Sequence, residues 1–166
     1  MLKIRCYLIL LLGCTVVSAA ATLDDMQKLN TAYPVGSMIL CQKKDASTTT
    51  RIYGRVLSRD KDTTRYQITM KTFHVNETNP ILIAKYQQRE VLEENEQVVY
   101  RLPETLSVSM PAHPDKEKEL RQFFLNQIKP EGISEEYGKF EMRGPSSYLI
   151  HTADGLVLFC KKETRV

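Results

Sequence analysis

Apolar and polar residues alternate along two neighbouring stretches within residues 51–73. The charged segment Asp60-Lys61-Asp62 separates the two stretches. Ile52, Gly54 and Val56 share one face of the first stretch, and Tyr66, Ile68 and Met70 share one face of the second. Successive side chains of a strand point to opposite faces of its sheet. The pattern therefore predicts an antiparallel hairpin with one covered face and one face in water.

Shorter apolar runs predict further strands on both sides of this hairpin. They lie at residues 37–42, 81–86, 97–101, 105–110, 139–143, 147–152 and 155–160. Asp154-Gly155 between the last two runs is typical of a tight hairpin turn. Eight or nine short antiparallel strands with polar outer faces favour a barrel or a sandwich over an open sheet.

Two helices complete the predicted secondary structure. A short amphipathic helix begins near Thr22 and ends at the segment Tyr33-Pro34-Val35-Gly36. A longer helix covers residues 115–128 and ends before Pro130. Its apolar stripe is formed by Leu120, Phe123, Phe124 and Ile128.

The N-terminal residues 1–21 read as a secretory signal peptide. Lys3 and Arg5 precede an apolar run at 6–17, and small residues follow, with cleavage after Ala19, Ala20 or Ala21. The run is shorter than the about 20 residues that a membrane-spanning helix needs. We therefore predict a secreted, extracellular protein without membrane insertion, in which residues 22–166 form a single domain.

Composition and charge narrow the possible partners. The chain has 166 residues, of which 42% are apolar and 26% charged. Loss of Lys3 and Arg5 from the 23 basic residues leaves a charge of about +1 against 20 acidic residues. We predict no nucleic-acid partner, because this balance leaves no surplus of positive charge for phosphate neutralisation.

Cleavage also removes two of the four cysteines and leaves Cys41 and Cys160. In an oxidising compartment two such cysteines usually pair, so we predict a disulfide between them. The alternative is two free thiols, one buried and one reactive. A disulfide would make the first and the last strand neighbours in space.

Several segments together resemble the secreted lipocalins of arthropods, in particular those of tick saliva. They are LDDMQKLN, SMILCQKK, IYGRVLSRDKDTTRYQITMKTFHVNETN and SYLIHTADGLVLFCKKE. The chain lacks the Gly-x-Trp motif of the wider lipocalin family, since it contains no Trp. The resemblance implies a mostly β fold: an antiparallel lipocalin-like β-barrel with a short N-terminal helix. The longer helix near residues 115–128 precedes the last predicted strands, whereas the family usually places it after the eighth strand. It also implies sequestration of a small amphipathic ligand (a biogenic amine, a fatty acid or an eicosanoid) that modulates host defence.

Candidate ligand-binding residues are the strand tyrosines and one strand arginine. They are Tyr53, Arg55, Tyr66, Tyr86, Tyr100 and Tyr148. An inward phenol offers an apolar body and a hydrogen-bonding tip, although aromatic residues also simply fill cores. An inward arginine at 55, 65 or 101 would favour a ligand with a carboxylate.

The remaining motifs suggest no enzyme. Three scattered histidines and the absence of a nucleophile motif or a phosphate loop predict no catalysis, no metal and no cofactor. Asn76-Glu77-Thr78 is a glycosylation sequon. Residues 97–100 resemble the binding loop of cystatins, but we interpret them as an ordinary strand. The alternative functions are a protein-binding immunomodulatory or complement-inhibiting effector on the same scaffold and, less favoured, a secreted protease inhibitor. We predict a monomer.

Overall fold

The computed structural model describes residues 23–93, 96–127, 139–151, 155 and 157–164. Two α-helices and eight strands follow one another along the chain. They are α1 (Leu23–Ala32), β1 (Met38–Lys44), β2 (Thr48–Arg59), β3 (Thr63–His74), β4 (Leu82–Glu93), β5 (Glu96–Ser109), α2 (Glu117–Gln127), β6 (Phe140–Gly144), β7 (Ser147–His151) and β8 (Val157–Glu163). The predicted signal peptide, the predicted end of the long helix and Asp154 lie outside the described residues.

The strands form one antiparallel sheet in the order β5-β4-β3-β2-β1-β8-β7-β6. The predicted hairpin is confirmed as β2 and β3, with Val56 opposite Tyr66 and Gly54 opposite Ile68. The first and the last strand are neighbours, as the predicted disulfide requires. The prediction of separate strands at 97–101 and 105–110 is wrong, because both belong to β5. A β-bulge accommodates Pro103 within this edge strand, where its missing N–H is tolerated.

A disulfide joins Cys41 on β1 to Cys160 on β8 and confirms the predicted pairing. The two residues are direct partners in the ladder, and their Cα atoms are 4.0 Å apart. Cys160 is fully buried at 0% exposure. The disulfide therefore joins the first and the last strand at a buried position.

Among the described residues, β5 and β6 each pair with a single neighbour and form the two edges of the sheet. The pairing that would close a barrel is thus not part of the described sheet. Helix α2 lies against β5, where Arg121 Nε donates to the Leu106 carbonyl over 3.1 Å. The Glu117 carboxylate accepts from the Met110 N–H over 2.8 Å and from the Ser109 hydroxyl over 3.1 Å. Side chains of α2 therefore satisfy polar groups at an otherwise open sheet edge.

One face of the sheet, here called the core face, is covered by α1. The buried cluster on this face is formed by Met26, Leu29, Tyr33, Ile39, Cys41, Val56, Phe140, Tyr148, Ile150 and Cys160. Every second residue of β1, β2, β7 and β8 contributes to it, as the two-residue repeat of a strand requires. The opposite side of the sheet is called the outer face. Within the described residues, no helix has the length and apolarity needed to span a bilayer.

A β-bulge in β2 changes the alternation at one end of the core face. The register shifts between Val56 and Ser58, so that Arg59 lies opposite Thr64. Without this shift Arg59 would lie on the outer face together with Arg55, which stands four residues earlier on the same strand. The bulge instead brings Arg59 to the C-terminal end of α1.

Candidate functional site

The six predicted ligand-binding residues divide between the two faces of the sheet. Tyr66 and Tyr148 lie on the core face, opposite Val56 and Cys160 respectively. Tyr86 is on the same face, opposite Ile68. Tyr53, Arg55 and Tyr100 lie on the outer face, so the sheet separates them from the three tyrosines of the core face.

Aromatic rings from three elements meet on the core face. The rings of Tyr33 and Tyr148 are in edge contact, with centroids 5.4 Å apart, and the ring of Phe140 lies 5.9 Å from that of Tyr148. Tyr33 is 1% exposed and Tyr148 is 5% exposed. The end of α1 therefore packs directly over β6 and β7, and an edge-on geometry is the favoured arrangement for such rings.

Polar groups from distant strands also reach this cluster. Tyr66 on β3 and Glu90 on β4 both interact electrostatically with Tyr148 on β7. In the sheet order β3 and β7 are four positions apart, and β4 and β7 are five. Flat strands at a spacing of about 4.8 Å would put roughly 19 and 24 Å between them. Curvature of the core face brings these strands closer together than a flat sheet would.

The buried phenols keep their protons at neutral pH. Burial raises the pKa of Tyr148 well above its ordinary value, and Tyr66, Tyr33 and Glu90 add to the shift. Burial raises the pKa of Tyr33 to about 12. Burial is also the main reason why the pKa of Tyr66 is raised; Glu90 adds to this effect, whereas Arg59 opposes it. The Tyr66 hydroxyl interacts with Arg59 and Glu90 through side-chain hydrogen bonds, and the protonated phenols can act as hydrogen-bond donors.

Arg59 fixes α1 above the cluster. Its guanidinium donates to the carbonyl oxygens of Asn30 over 2.8 Å and Tyr33 over 3.0 Å. It also donates to the Thr64 hydroxyl over 3.2 Å. The last carbonyls of a helix have no partner within the helix and carry a partial negative charge, so a cation is well placed there. The guanidinium of Arg59 is thus occupied in holding the helix.

Two unusual polar features remain in the cluster. Gln88 is buried and donates from Nε2 to Oε1 of Glu90 over 2.9 Å, which orients that carboxylate on the core face. The hydroxyl of Tyr33 is buried and has no hydrogen-bond partner in the described structure. A buried polar group without a partner costs free energy, so it is a natural point of attachment for a bound molecule.

The outer-face residues have a different environment. The ammonium of Lys71 lies over the ring of Tyr53, 5.7 Å from its centroid. The guanidinium of Arg89 lies 4.7 Å from the centroid of Tyr100. Arg55 is exposed. These three predicted residues therefore do not contribute to the core-face cluster.

Of the other arginines considered, Arg65 is on the outer face and Arg101 on the core face, opposite Gln88. Residues 97–100 form part of β5 and pair along β4, which agrees with their interpretation as an ordinary strand. Asn76 lies in an exposed turn between β3 and β4 and has a φ of 70°, a left-handed conformation that asparagine tolerates.

Four residues in or beside the buried cluster were not predicted as site residues from the sequence: Tyr33, Arg59, Gln88 and Glu90. The alternation of Ala84 and Tyr86 continues through Gln88 and Glu90 and could have extended the predicted strand. No local signal marks Tyr33 or Arg59, because their positions depend on the docking of α1 and on the β-bulge.

Comparison of the chain with protein-family models found no match, and comparison with curated proteins found none either. The properties of this site therefore rest on its own geometry.

Proposed function

We propose that this chain is a secreted, lipocalin-like binding protein that sequesters a small amphipathic ligand against its core face. The observation that carries the proposal is the packing of Tyr33, Tyr66 and Tyr148 in one largely apolar cluster on the core face. Ligand sites are typically concave and largely apolar, with a few polar groups that orient the bound molecule. The core-face cluster has this composition.

The strand order supports a lipocalin-like arrangement. Strands that are consecutive in the chain lie side by side, except β5 and β6, and β1 lies beside β8. This is the order of an up-and-down barrel interrupted between the consecutive strands β5 and β6. A concave sheet of this kind would enclose a ligand on most sides, with α1 covering one end.

The head group that suits the cluster best is an amine. The Glu90 carboxylate is oriented on the core face by Gln88, whereas the Arg59 guanidinium, which also reaches Tyr66, is bound to helix carbonyls. A carboxylate beside aromatic rings stabilises a cation through charge and through the faces of the rings. A biogenic amine with an aromatic body therefore fits better than a fatty acid, whose carboxylate would have to turn towards Arg101.

Native mass spectrometry of the disulfide-bonded protein tests this function. The protein is titrated with an aromatic amine such as tryptamine and, separately, with a fatty acid such as palmitate. We expect a one-to-one adduct with the amine. Glu90→Gln and Tyr66→Phe should weaken that adduct at least tenfold, since each removes a charge or a hydroxyl from the cluster.

Tyr53→Phe and Tyr100→Phe are matched controls, because they remove the same hydroxyl from the outer face. Both should bind the amine as the wild type does. Preferential binding of palmitate, with loss in Arg101→Gln, would reassign the head group to a carboxylate. The absence of any adduct would contradict sequestration altogether.

An exposed apolar surface on β8 favours a second candidate function. Val157 and Phe159 lie on the outer face and are 49% and 46% exposed. Large exposed apolar side chains on neighbouring positions are common at protein-binding surfaces. A protein-binding effector would use this surface, and Phe159→Ser would then abolish capture of a defined plasma protein without altering ligand adducts.

Secretion and glycosylation belong to the same proposal. The disulfide fits an oxidising compartment, and the turn around Asn76 is exposed to a glycosylating enzyme. Expression in eukaryotic cells should release a protein that begins at residue 20, 21 or 22. Its mass should fall on treatment with peptide N-glycosidase, and Asn76→Gln should remove that response. An unglycosylated intracellular product would contradict both expectations.

A further inference from the structure

The outer face of β2, β3 and β4 carries positive charge that no carboxylate on the same face balances among the described side chains. Its cations are Arg51, Arg55, Arg65, Lys71, Lys85 and Arg89. Five of them are exposed and Lys71 is half-buried. β2 and β3 contain no Asp or Glu. In β4 Glu90 points to the core face, and Glu93 ends the strand four positions beyond Arg89. We call these six residues the basic face.

Cations of the basic face lie directly opposite one another in two places. Arg51 is the ladder partner of Lys71, and Arg65 is the ladder partner of Arg89. Like charges at directly opposite positions destabilise an antiparallel pair, since their Cβ atoms are only about 5 Å apart. The sequence thus keeps two repulsive pairs where an opposite charge would stabilise the sheet, which indicates a role outside folding.

Aromatic rings hold three of these cations in place. Arg51 lies over the ring of Phe73 at 4.8 Å, Lys71 over that of Tyr53 and Arg89 over that of Tyr100. A cation on a ring face loses less freedom when it binds an anion, because it is already restrained. The same arrangement covers the ring faces on this side of the sheet.

We infer that the basic face binds a sulfated polysaccharide. Outward positions repeat about every 6.6 Å along a strand, so the cations form an extended array suited to a linear polyanion. Guanidinium groups bind sulfate through paired N–H···O bonds. The disulfide indicates an oxidising compartment, in which sulfated polysaccharides are the abundant linear polyanions.

Two other polyanions suit this face less well. Single-stranded nucleic acid binds through bases stacked on open aromatic rings, but the rings here lie beneath cations. An anionic membrane surface is bound by basic residues together with apolar side chains that enter the bilayer. Among the described side chains of β2, β3 and β4, Leu57 is the one large apolar residue that is substantially exposed; Val157 and Phe159 lie on β8, beyond β1.

The overall charge conceals this surface. The near balance of acidic and basic residues argued against a polyanionic partner, but that reasoning assumed that the two signs are mixed. Asp60 and Asp62 lie in the turn between β2 and β3, and Glu77 lies beyond the end of β3, away from the cationic positions. The segregation of charge by face, rather than the total, decides whether a polyanion is attracted.

Calorimetric titration with a heparin dodecasaccharide tests the inference on the full disulfide-bonded protein. We expect binding that weakens with salt, as counterions are released from both partners. The variant Arg65→Gln/Arg89→Gln should bind about tenfold more weakly at 150 mM NaCl and lower the slope of log affinity against log salt by about 2. Lys116→Gln/Lys118→Gln loses the same charge at exposed positions around the start of α2 and should bind as the wild type does.

Two comparisons complete the test. Replacement of two repelling cations leaves the fold intact, so the thermal midpoint of Arg65→Gln/Arg89→Gln should not fall. Amine adducts on the core face should also be unchanged in this variant, which separates the inference from the proposed function. Equal losses in the two double variants would overturn it. So would tighter binding to oligo-dT, to phosphatidylserine vesicles or to desulfated heparin than to heparin itself.

Discussion

Cys41 and Cys160 face each other directly across β1 and β8, with Cα atoms 4.0 Å apart. Their disulfide encloses almost the whole described fold, since the two residues are separated by 119 positions. The strands that it joins, β1 and β8, lie in the interior of the sheet, whereas β5 and β6 form the two edges of the described sheet. The bridge therefore fastens the middle of the sheet and not its open edges.

Loss of this disulfide should destabilise the protein strongly. A loop of this length corresponds to about 4–5 kcal/mol in the chain-entropy description. Denaturant unfolding of Cys41→Ala/Cys160→Ala should show a reduction of this order. The reduced wild type serves as the control and should unfold at a similar denaturant concentration. An unchanged midpoint in both would show that the bridge adds nothing to stability.

Replacement of Arg59 should loosen α1. Arg59→Met removes the donors to the Asn30 and Tyr33 carbonyls, and we expect a loss of roughly 1–3 kcal/mol in unfolding free energy. Hydrogen exchange of α1 amides should accelerate more than that of β1. Arg55→Met, on the same strand but exposed, should change stability by less than about 0.5 kcal/mol. Equal effects of the two variants would contradict this assignment.

Tyr33→Phe should stabilise the protein in the absence of ligand. The hydroxyl of Tyr33 is buried without a partner, and its removal abolishes an unmet desolvation cost of about 1 kcal/mol. Urea unfolding should therefore show a higher midpoint. Tyr53→Phe on the outer face is the control and should unfold as the wild type does. A lower midpoint for Tyr33→Phe would mean that the hydroxyl is hydrogen-bonded in solution.

The buried phenols should make the fold sensitive to alkali. Tyr33, Tyr66 and Tyr148 have pKa values raised above 10, so the unfolded chain loses these protons first. Stability should be constant below about pH 10 and then fall, by roughly 1.4 kcal/mol per pH unit for each phenol. For Tyr33 the fall ends near its pKa of about 12.

Denaturant midpoints between pH 8 and 11.5, followed together with phenolate absorbance, measure this dependence. Tyr66→Phe should reduce the slope above pH 10 by about one third, since one of the three phenols is removed. A Tyr100→Phe control should leave it unchanged. A slope that begins near pH 8 would point to groups other than these phenols.

Side chains of α2 should keep the β5 edge from pairing with a second molecule. Arg121→Ala removes the donor to the Leu106 carbonyl, and exposed edge groups readily pair with another strand. Light scattering should then detect association at high concentration. Gln122→Ala is a suitable control, because Gln122 bonds to Asn126 within α2. A monodisperse Arg121→Ala would show that this contact does not protect the edge.

The hairpin and the central ladder could be predicted because their signals are local. Ile52 and Ile68 fall on the covered face in a strict two-residue repeat, and that repeat survives in the structure. The pairing of Cys41 with Cys160 could be predicted because only these two cysteines remain after removal of the predicted signal peptide, in an oxidising compartment. These predictions required no knowledge of how the faces of the sheet meet.

The candidate site was harder to predict, because it depends on long-range geometry. Tyr66 and Tyr100 are both strand tyrosines, and no local pattern separates the one on the core face from the one on the outer face. A stretch in which β5 departs from regular pairing separates Tyr100 from Leu106, so the face of Tyr100 could not be counted from Leu106. The charged residue Glu90 was missed because a carboxylate on a covered face runs against the usual pattern.

The extra residue at the bulge between Val56 and Ser58 reverses which positions of β2, odd-numbered or even-numbered, point outward. Before it, odd-numbered positions such as Arg51 and Arg55 point outward; after it, the odd-numbered Arg59 points to the core face. β2 thus supplies Arg51 and Arg55 to the outer face and Arg59 to the core face. Deletion of Leu57 would remove the bulge and leave Arg59 opposite Thr64 on the core face, whereas regular pairing of Leu57 would turn Arg59 outward, away from α1.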